Sequence, residues 1–292
     1  MHDVVVKIIE SGPPFLETVK RLKKHKLAVA GLVIILALSL IALFAPFIAP
    51  HDPNKLHLAH RLLSPGGDYP MGTDNLGRCL FSRLVFGSRV TLLAGFCVVG
   101  ITSTVGVVLG IIAGYRGGLI DEFIMRCVDV LLAFPGIILA LVIAGIMGPS
   151  LFNVMFALSL IGWTSYARVV RGAVLSVKER EFVEAARSLG ASDNRIMLRH
   201  ILPNVLAPVI VMATLGMAHV ILSAAALSFL GLGVQPPNAE WGSMLNAGRI
   251  FMRTAPHMTV FPGLAIMLTV LAFNFLGDGL RDALDPWLNN NN

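Results

Sequence analysis

The residues best placed to do chemistry are Glu184, Ala185, Ala186, Gly190, Leu202 and Pro203, and the chemistry they suggest is docking rather than catalysis. They lie in a polar, charged island, residues 171–203, set between apolar runs long enough to cross a bilayer. Nothing in a membrane requires such an island, so it belongs in the aqueous phase, against a partner. Residues 177–189 suit a helix, with Gly190 just past its end, where a left-handed residue closes a helix without a Cβ penalty. Ser192 or Asp193 can cap a second helix that runs to about Ile201 and stops before Pro203. The result is a compact helix–turn–helix knob. Ala185 and Ala186 keep one side of its first helix thin enough to enter a groove. Glu184 and Arg187, three apart, can pair with each other or with the partner. The competing reading is a solvated loop joining two spans.

Other chemistry is sparse. The chain has no G-x-x-x-x-G-K-[ST] to cradle phosphates, no H-E-x-x-H and no G-x-S-x-G. No catalytic residue is assigned. The acidic residues flank the apolar runs, apart from Asp129 near the start of one, whereas ion-coupled carriers bury ionisable groups at mid-depth. The energy for any transport therefore comes from a partner. His51, His57 and His60 fall within ten residues, and imidazole suits nickel. Their irregular spacing leaves a metal relay and solvated loop histidines both open. His219 reads as packed and hydrogen-bonded within its span. Cys79, Cys97 and Cys127 show neither metal-ligand nor disulfide spacing, so no metal site is assigned.

The elements that must position the island are membrane spans. The chain is 55% apolar and 14% charged, with a mean hydropathy of +0.77, and lipid is the natural solvent for such a composition. Six spans are predicted, at about 27–49, 90–113, 128–147, 151–170, 205–230 and 258–276, as helices rather than barrel strands because none alternates. The first is a retained anchor, too long for a signal-peptide core. The net charge of +6 sits at span ends with no nucleic-acid-binding motif around it. With both termini cytoplasmic, 16 of the 23 lysines and arginines fall inside. The cluster from Lys20 to Lys26 dominates that bias. Turn chemistry at Ser64-Pro65-Gly66-Gly67 marks a boundary. Residues 1–65 form an N-terminal segment, anchor helix and start of an outer loop, 66–286 a five-helix core, and 287–292 a disordered tail.

The island resembles the "EAA" loop (EAA, three residues, G, nine residues, I-x-L-P) of permease subunits of bacterial ATP-driven importers, with His200 where an apolar residue is usual. Met71-Gly72-Thr73-Asp74-Asn75-Leu76-Gly77-Arg78 with Phe81-Ser82-Arg83-Leu84 resembles the "LGTDxLGRDxxSRL" signature of the dipeptide/oligopeptide/nickel class. Cys79 replaces the usual Asp there and is read as an exposed outer thiol. Ser228-Phe229-Leu230-Gly231-Leu232-Gly233, Gln235-Pro236-Pro237, Glu240-Trp241-Gly242 and Gly277-Asp278-Gly279-Leu280-Arg281-Asp282 continue the likeness. The outer-loop residues Gly72, Thr73, Asp74, Gly77, Arg78, Ser82 and Arg83 either brace an extracellular cap or contact a binding protein. Trp241 is placed at the outer interface, where Trp is favoured.

What the resemblance implies is an all-α membrane protein with six transmembrane helices, the type I ABC importer permease fold and cytoplasmic EAA coupling helices. Its implied partners are a homologous second permease, two cytoplasmic ATP-binding subunits, an extracytoplasmic substrate-binding protein and the lipid bilayer. No cofactor is held in this chain; ATP and Mg belong to the ATPase subunits. The implied cargo is a di- or oligopeptide, with nickel chelate as the alternative. The rivals from other classes are an ATP-independent carrier or channel, and a membrane scaffold.

Overall fold

The computed structural model describes Val19 and residues 21–284, so the tail at 287–292, Lys20 and the first 18 residues lie outside the described part. The described residues are helical, with two isolated bridges, Gly66 to Tyr69 and Thr73 to Cys79, as their only extended pairing. Helix α1, Lys26–Leu43, starts at His25, whose Nδ1 accepts from the Ala28 N–H at 3.2 Å. A short α2, Ala45–Ile48, extends it. Then come α3, Leu80–Arg116, α4, Gly118–Leu132, α5, Gly136–Met147, and α6, Leu151–Val177. The polar island supplies α7, Glu181–Ser188, and α8, Asp193–Ile196. A π turn at Met197–Ile201 joins α8 to α9, Leu202–Phe229. Helices α10, Trp241–Gly248, and α11, His257–Leu284, complete the order.

Among the described residues, four helical runs are long and apolar enough to cross a membrane: Lys26–Leu43, Leu80–Arg116, Asp193–Phe229 and His257–Leu284. The predicted span at 128–147 is not one helix. It breaks at Ala133-Phe134-Pro135, where α4 and α5 meet at 85°, because proline lacks the N–H that would continue the ladder and its ring displaces the preceding turn. By itself α5 is about 18 Å long, short of the ~30 Å hydrocarbon core. Helix α6 reaches about 40 Å but is diluted by Asn153 and the polar stretch from Trp163 to Arg168.

Small residues let the bundle close. Gly106, Gly110 and Gly114 on α3 face Tyr166, Val170 and Val174 on α6, and a Cβ on Gly106 would come within 2.4 Å of the Tyr166 Cβ. In lipid, where burial of apolar surface gives no driving force, such close backbone approach is what holds helices together. Both sets of numbers rise together, so α3 and α6 run parallel. Helices α4 and α5 must therefore carry the chain back between the two faces of the bundle. Arg171 and Arg168 on α6 pair with Asp121 and Asp129 on α4, the latter at 2.6 Å, and tie that return segment down. Helix α11 packs antiparallel on α9 and on α1, with Gly277 against Leu215 and Gly279 against Ala28.

Candidate functional site

The island folds into a knob on the ends of α3, α6 and α9. Helix α6 runs to Val177, so the knob's first helix begins only at Glu181, after a turn at Lys178–Arg180, and not at Val177. Glu181 and Glu184 in its first turn suit the positive end of the helix dipole. At its end the Ala191 N–H donates to the Ala186 carbonyl at 3.1 Å, and the Gly190 N–H to that of Arg187 at 2.9 Å. With Gly190 at φ +79° this is a complete Schellman closure. A Cβ on Gly190 would meet nothing within 4 Å, so only the backbone conformation demands glycine there.

Ser192 precedes α8 without a side-chain cap bond. The second helix does not stop before Pro203. It passes through the π turn, where the Leu202 N–H bonds the Met197 carbonyl, and that shift of register absorbs the missing N–H and the ring of Pro203. Val183, Ile196, Met197 and Ile201 pack with Val170, Val174 and Val177 of α6 and Val205 and Val209 of α9. The Tyr115 hydroxyl at the end of α3 donates to Asp193 at 2.7 Å, and Arg187 lies 5.9 Å from its ring centre. The knob is thus fastened to three long helices. Its outer side carries Glu184 and Ala185, exposed, Ala186, half-buried, and Leu189, 88% exposed. Leu202 is half-buried and Pro203 exposed. Arg187 turns to Tyr115 rather than to Glu184, which has no ion pair among the described residues. The knob is an exposed, partly apolar tip on a rigid seat.

The second sequence motif lies on the opposite side. Gly72, Thr73, Asp74, Gly77, Arg78, Ser82 and Arg83 are all buried. The Asp74 carboxylate accepts from Arg78 Nε at 2.7 Å and from the Leu76 and Arg78 N–H groups at 2.9 Å, with Arg83 Nε at 3.6 Å. Arg83 also donates to the Pro53 and Pro237 carbonyls. The Ser82 hydroxyl accepts from the His51 N–H, and His257 Nε2 lies 3.1 Å from the Thr73 carbonyl. Gly77, at φ +76°, sits against the His57 carbonyl, with no room for a Cβ. These side chains clamp two loops together in a cap. Cys79 is 2% exposed, not an accessible thiol, because its segment is pinned against Thr73. Trp241 is likewise inside the protein, 1% exposed, its indole N–H donating to the Leu84 carbonyl.

The sequence motif named Glu240 without a role for it; it caps α10 by accepting from the Gly242 and Ser243 N–H groups at 2.8 and 2.9 Å. Burial pushes its carboxyl above the ordinary carboxylate range, against those two hydrogen bonds. A raised folded-state pKa makes the cap more stable at low pH. That contribution falls as pH rises from the ordinary carboxylate value through the raised one. Glu240→Gln keeps one cap acceptor and removes the titration, so its melting temperature should lack this slope as pH rises above the ordinary carboxylate value, while the wild type shows it.

The order of these parts is that of a known family. The sequence profile described as "Binding-protein-dependent transport system inner membrane component" matches residues 106–290, nearly two-thirds of the chain. The chain belongs to this family. A second profile, "N-terminal TM domain of oligopeptide transport permease C", matches residues 14–65. The permease is 49% identical over 273 residues to the dipeptide transport system permease protein DppC of Alkalihalophilus pseudofirmus, covering 94% of this chain and 90% of that one. It is 46% identical to the glutathione transport system permease protein GsiD of Escherichia coli O6:K15:H31, covering 97% and 93%. Its fold is that of a chain of the MetNI methionine ABC transporter in inward-facing conformations (TM-score 0.56, 21% identity, 70% of this chain and 96% of that chain). It is a multi-pass inner-membrane transport subunit, not an enzyme.

Two histidine readings change. His60 Nδ1 lies 2.9 Å from the Tyr69 hydroxyl, and His51 stacks on the same ring. Among the described residues no three His, Cys, Asp or Glu side chains converge as a metal site. His219 is exposed on α9 instead of packed.

Proposed function

We propose that the permease forms one half of the membrane pathway of an ATP-driven importer of di- or oligopeptides, beside a homologous second permease. Two cytoplasmic ATPases would hold ATP and Mg and grip the knob, and an extracytoplasmic binding protein would deliver cargo at the cap. The 49% identity to a dipeptide permease over 94% of the chain carries the peptide reading. Glutathione, the cargo in another relative's name, is itself a tripeptide. Nickel chelate has no comparable support. Uptake of a radiolabelled dipeptide by the reconstituted complex should stop when ATP is withdrawn, even with a proton gradient imposed. Uptake sustained by the gradient alone would point to a secondary carrier.

Six crossings with both termini cytoplasmic fit the packing. Parallel α3 and α6 require a return through α4 and α5. Arg83, in the first turn of α3, donates both to Pro53 in the loop after α2 and to Pro237 in the loop after α9, so the two loops share one side. Division of the chain near residue 65 belongs to the same reading, as does the assignment of the knob to the cytoplasm. Lys55→Cys, exposed on the cap, should react with an impermeant thiol reagent outside sealed cells, and Ser192→Cys only after permeabilisation. Labelling of Ser192→Cys in sealed cells would invert the topology.

A further inference from the structure

His219 is the one ionisable residue between His200 and Glu240, and it lies near the middle of α9, three residues past the centre of Leu202–Phe229. It is exposed, and no hydrogen bond, ion pair or ring contact engages its imidazole among the described residues. Ionisable groups at mid-depth are costly in hydrocarbon and face water, a polar partner or a pathway. Its surroundings show which side of the helix it occupies. Helices α9 and α11 leave two grooves between them. The one toward the cap is lined by residues such as Leu222, Phe229 and Leu271, and the one toward the knob by Asn204, Leu215 and Arg281. His219 falls between Leu215 and Leu222, at the waist where the grooves approach each other.

The antiparallel register identifies what stands opposite. Gly277 of α11 meets Leu215, and Val270 shares the upper groove with Leu222. His219 therefore lies level with Phe273 and Asn274. Phe273 is buried, whereas Asn274 is half-buried, with no hydrogen bond to its side chain among the described residues. One imidazole and one carboxamide, both unpartnered, sit at mid-depth on a stripe that is apolar toward the cap and polar only at its knob end. We propose that His219, with Asn274 beside it, lines the route by which cargo crosses and donates a hydrogen bond to the passing peptide's backbone or terminal carboxylate. This rests on the peptide-import reading. A peptide stripped of water in an apolar passage needs polar contacts at intervals, and too many would trap it. A single waist contact lowers the barrier without creating a deep site.

The test uses the assembled complex in proteoliposomes, with Cys79, Cys97 and Cys127 replaced by alanine. His219→Cys should react with methanethiosulfonate ethylammonium in at least one nucleotide state. The reaction should be far faster than that of Val33→Cys on α1, and slower when peptide and binding protein are present. In the unmodified background His219→Leu should cut peptide uptake about tenfold, the cost of one lost hydrogen bond in the passage. ATPase co-purification should be unchanged, and His219→Gln should restore most of the uptake. A His219→Cys thiol that stays unreactive in every state means the residue faces lipid or a tight permease–permease contact, and overturns the inference. So does reactivity that peptide leaves unchanged. If the wild-type complex imports no peptide, the import reading fails by itself, while thiol accessibility still reports whether His219 lines a water-filled route.

Discussion

The Gly190→Val permease is expected to insert and fold as the wild type does, yet to retain its ATPase subunits about tenfold less well and to lose transport in proportion. Gly190 holds φ +79° in the closure that ends α7. A β-branched residue there costs roughly 1–2 kcal/mol or more, which is about a factor of ten in a docking equilibrium. The open space around Gly190 excludes a steric origin for the loss. Gly190→Ala should therefore show the same defect in weaker form, and Gly190→Asn, which tolerates the left-handed region, should be close to wild type. The knob's seat among Val174, Ile196 and Ile201 lies on the far side of α7 and keeps the bundle intact. Glu184→Lys, at an exposed residue without an internal partner, should weaken docking by charge reversal alone. Co-purification of tagged permease with the ATPases, normalised to membrane content, measures all four.

Asp74→Ala is expected to be more damaging, and in a different way. It leaves Arg78 and Arg83, whose side chains are 7% and 6% exposed, as buried cations without their shared carboxylate. Breaking a buried ion pair from one side costs about 3–5 kcal/mol, and the Leu76 and Arg78 N–H groups lose their acceptor as well. The cap should open, and the variant should reach the membrane at a small fraction of wild-type yield or lose about 10–20 °C in its first thermal transition. Asp74→Asn, which keeps acceptors but not the charge, should fall between. A wild-type yield and melting profile for Asp74→Ala would mean that the cap is not held by this cluster.

The two motifs were legible in the sequence to different depths. Spacing alone located the knob and its glycine hinge, because each is a local relation within a few residues. What spacing could not reach were contacts closed by the fold. Tyr115 meets Asp193 across 78 residues and Arg83 meets Pro237 across 154. The burial of Cys79 was also hidden, because the bridge that pins its segment against Thr73 leaves no mark in the residue pattern. The apolar runs located the membrane helices because length and hydropathy are additive along the chain. Pro135 sat inside a run that still averaged apolar, so the break between α4 and α5 was lost in the average. Helix α6 extends to Val177 although Arg168 and Arg171 argued for an earlier end. Their carboxylate partners, Asp129 and Asp121, sit on a different helix. The π turn before Pro203 has no sequence signature of its own, since a proline there is equally compatible with a helix end.

The central claim is that the exposed tip around Ala185 and Leu189 is where the ATPase subunits hold this permease. A photo-crosslinking amino acid placed at Leu189, 88% exposed, and one placed at Lys55 on the cap, should be irradiated in the assembled complex in native membranes. An adduct between permease and ATPase from position 189, and none from position 55, is the expected result. A complex that hydrolyses ATP and transports normally, yet yields from position 189 only uncrosslinked permease or lipid adducts, would contradict the account.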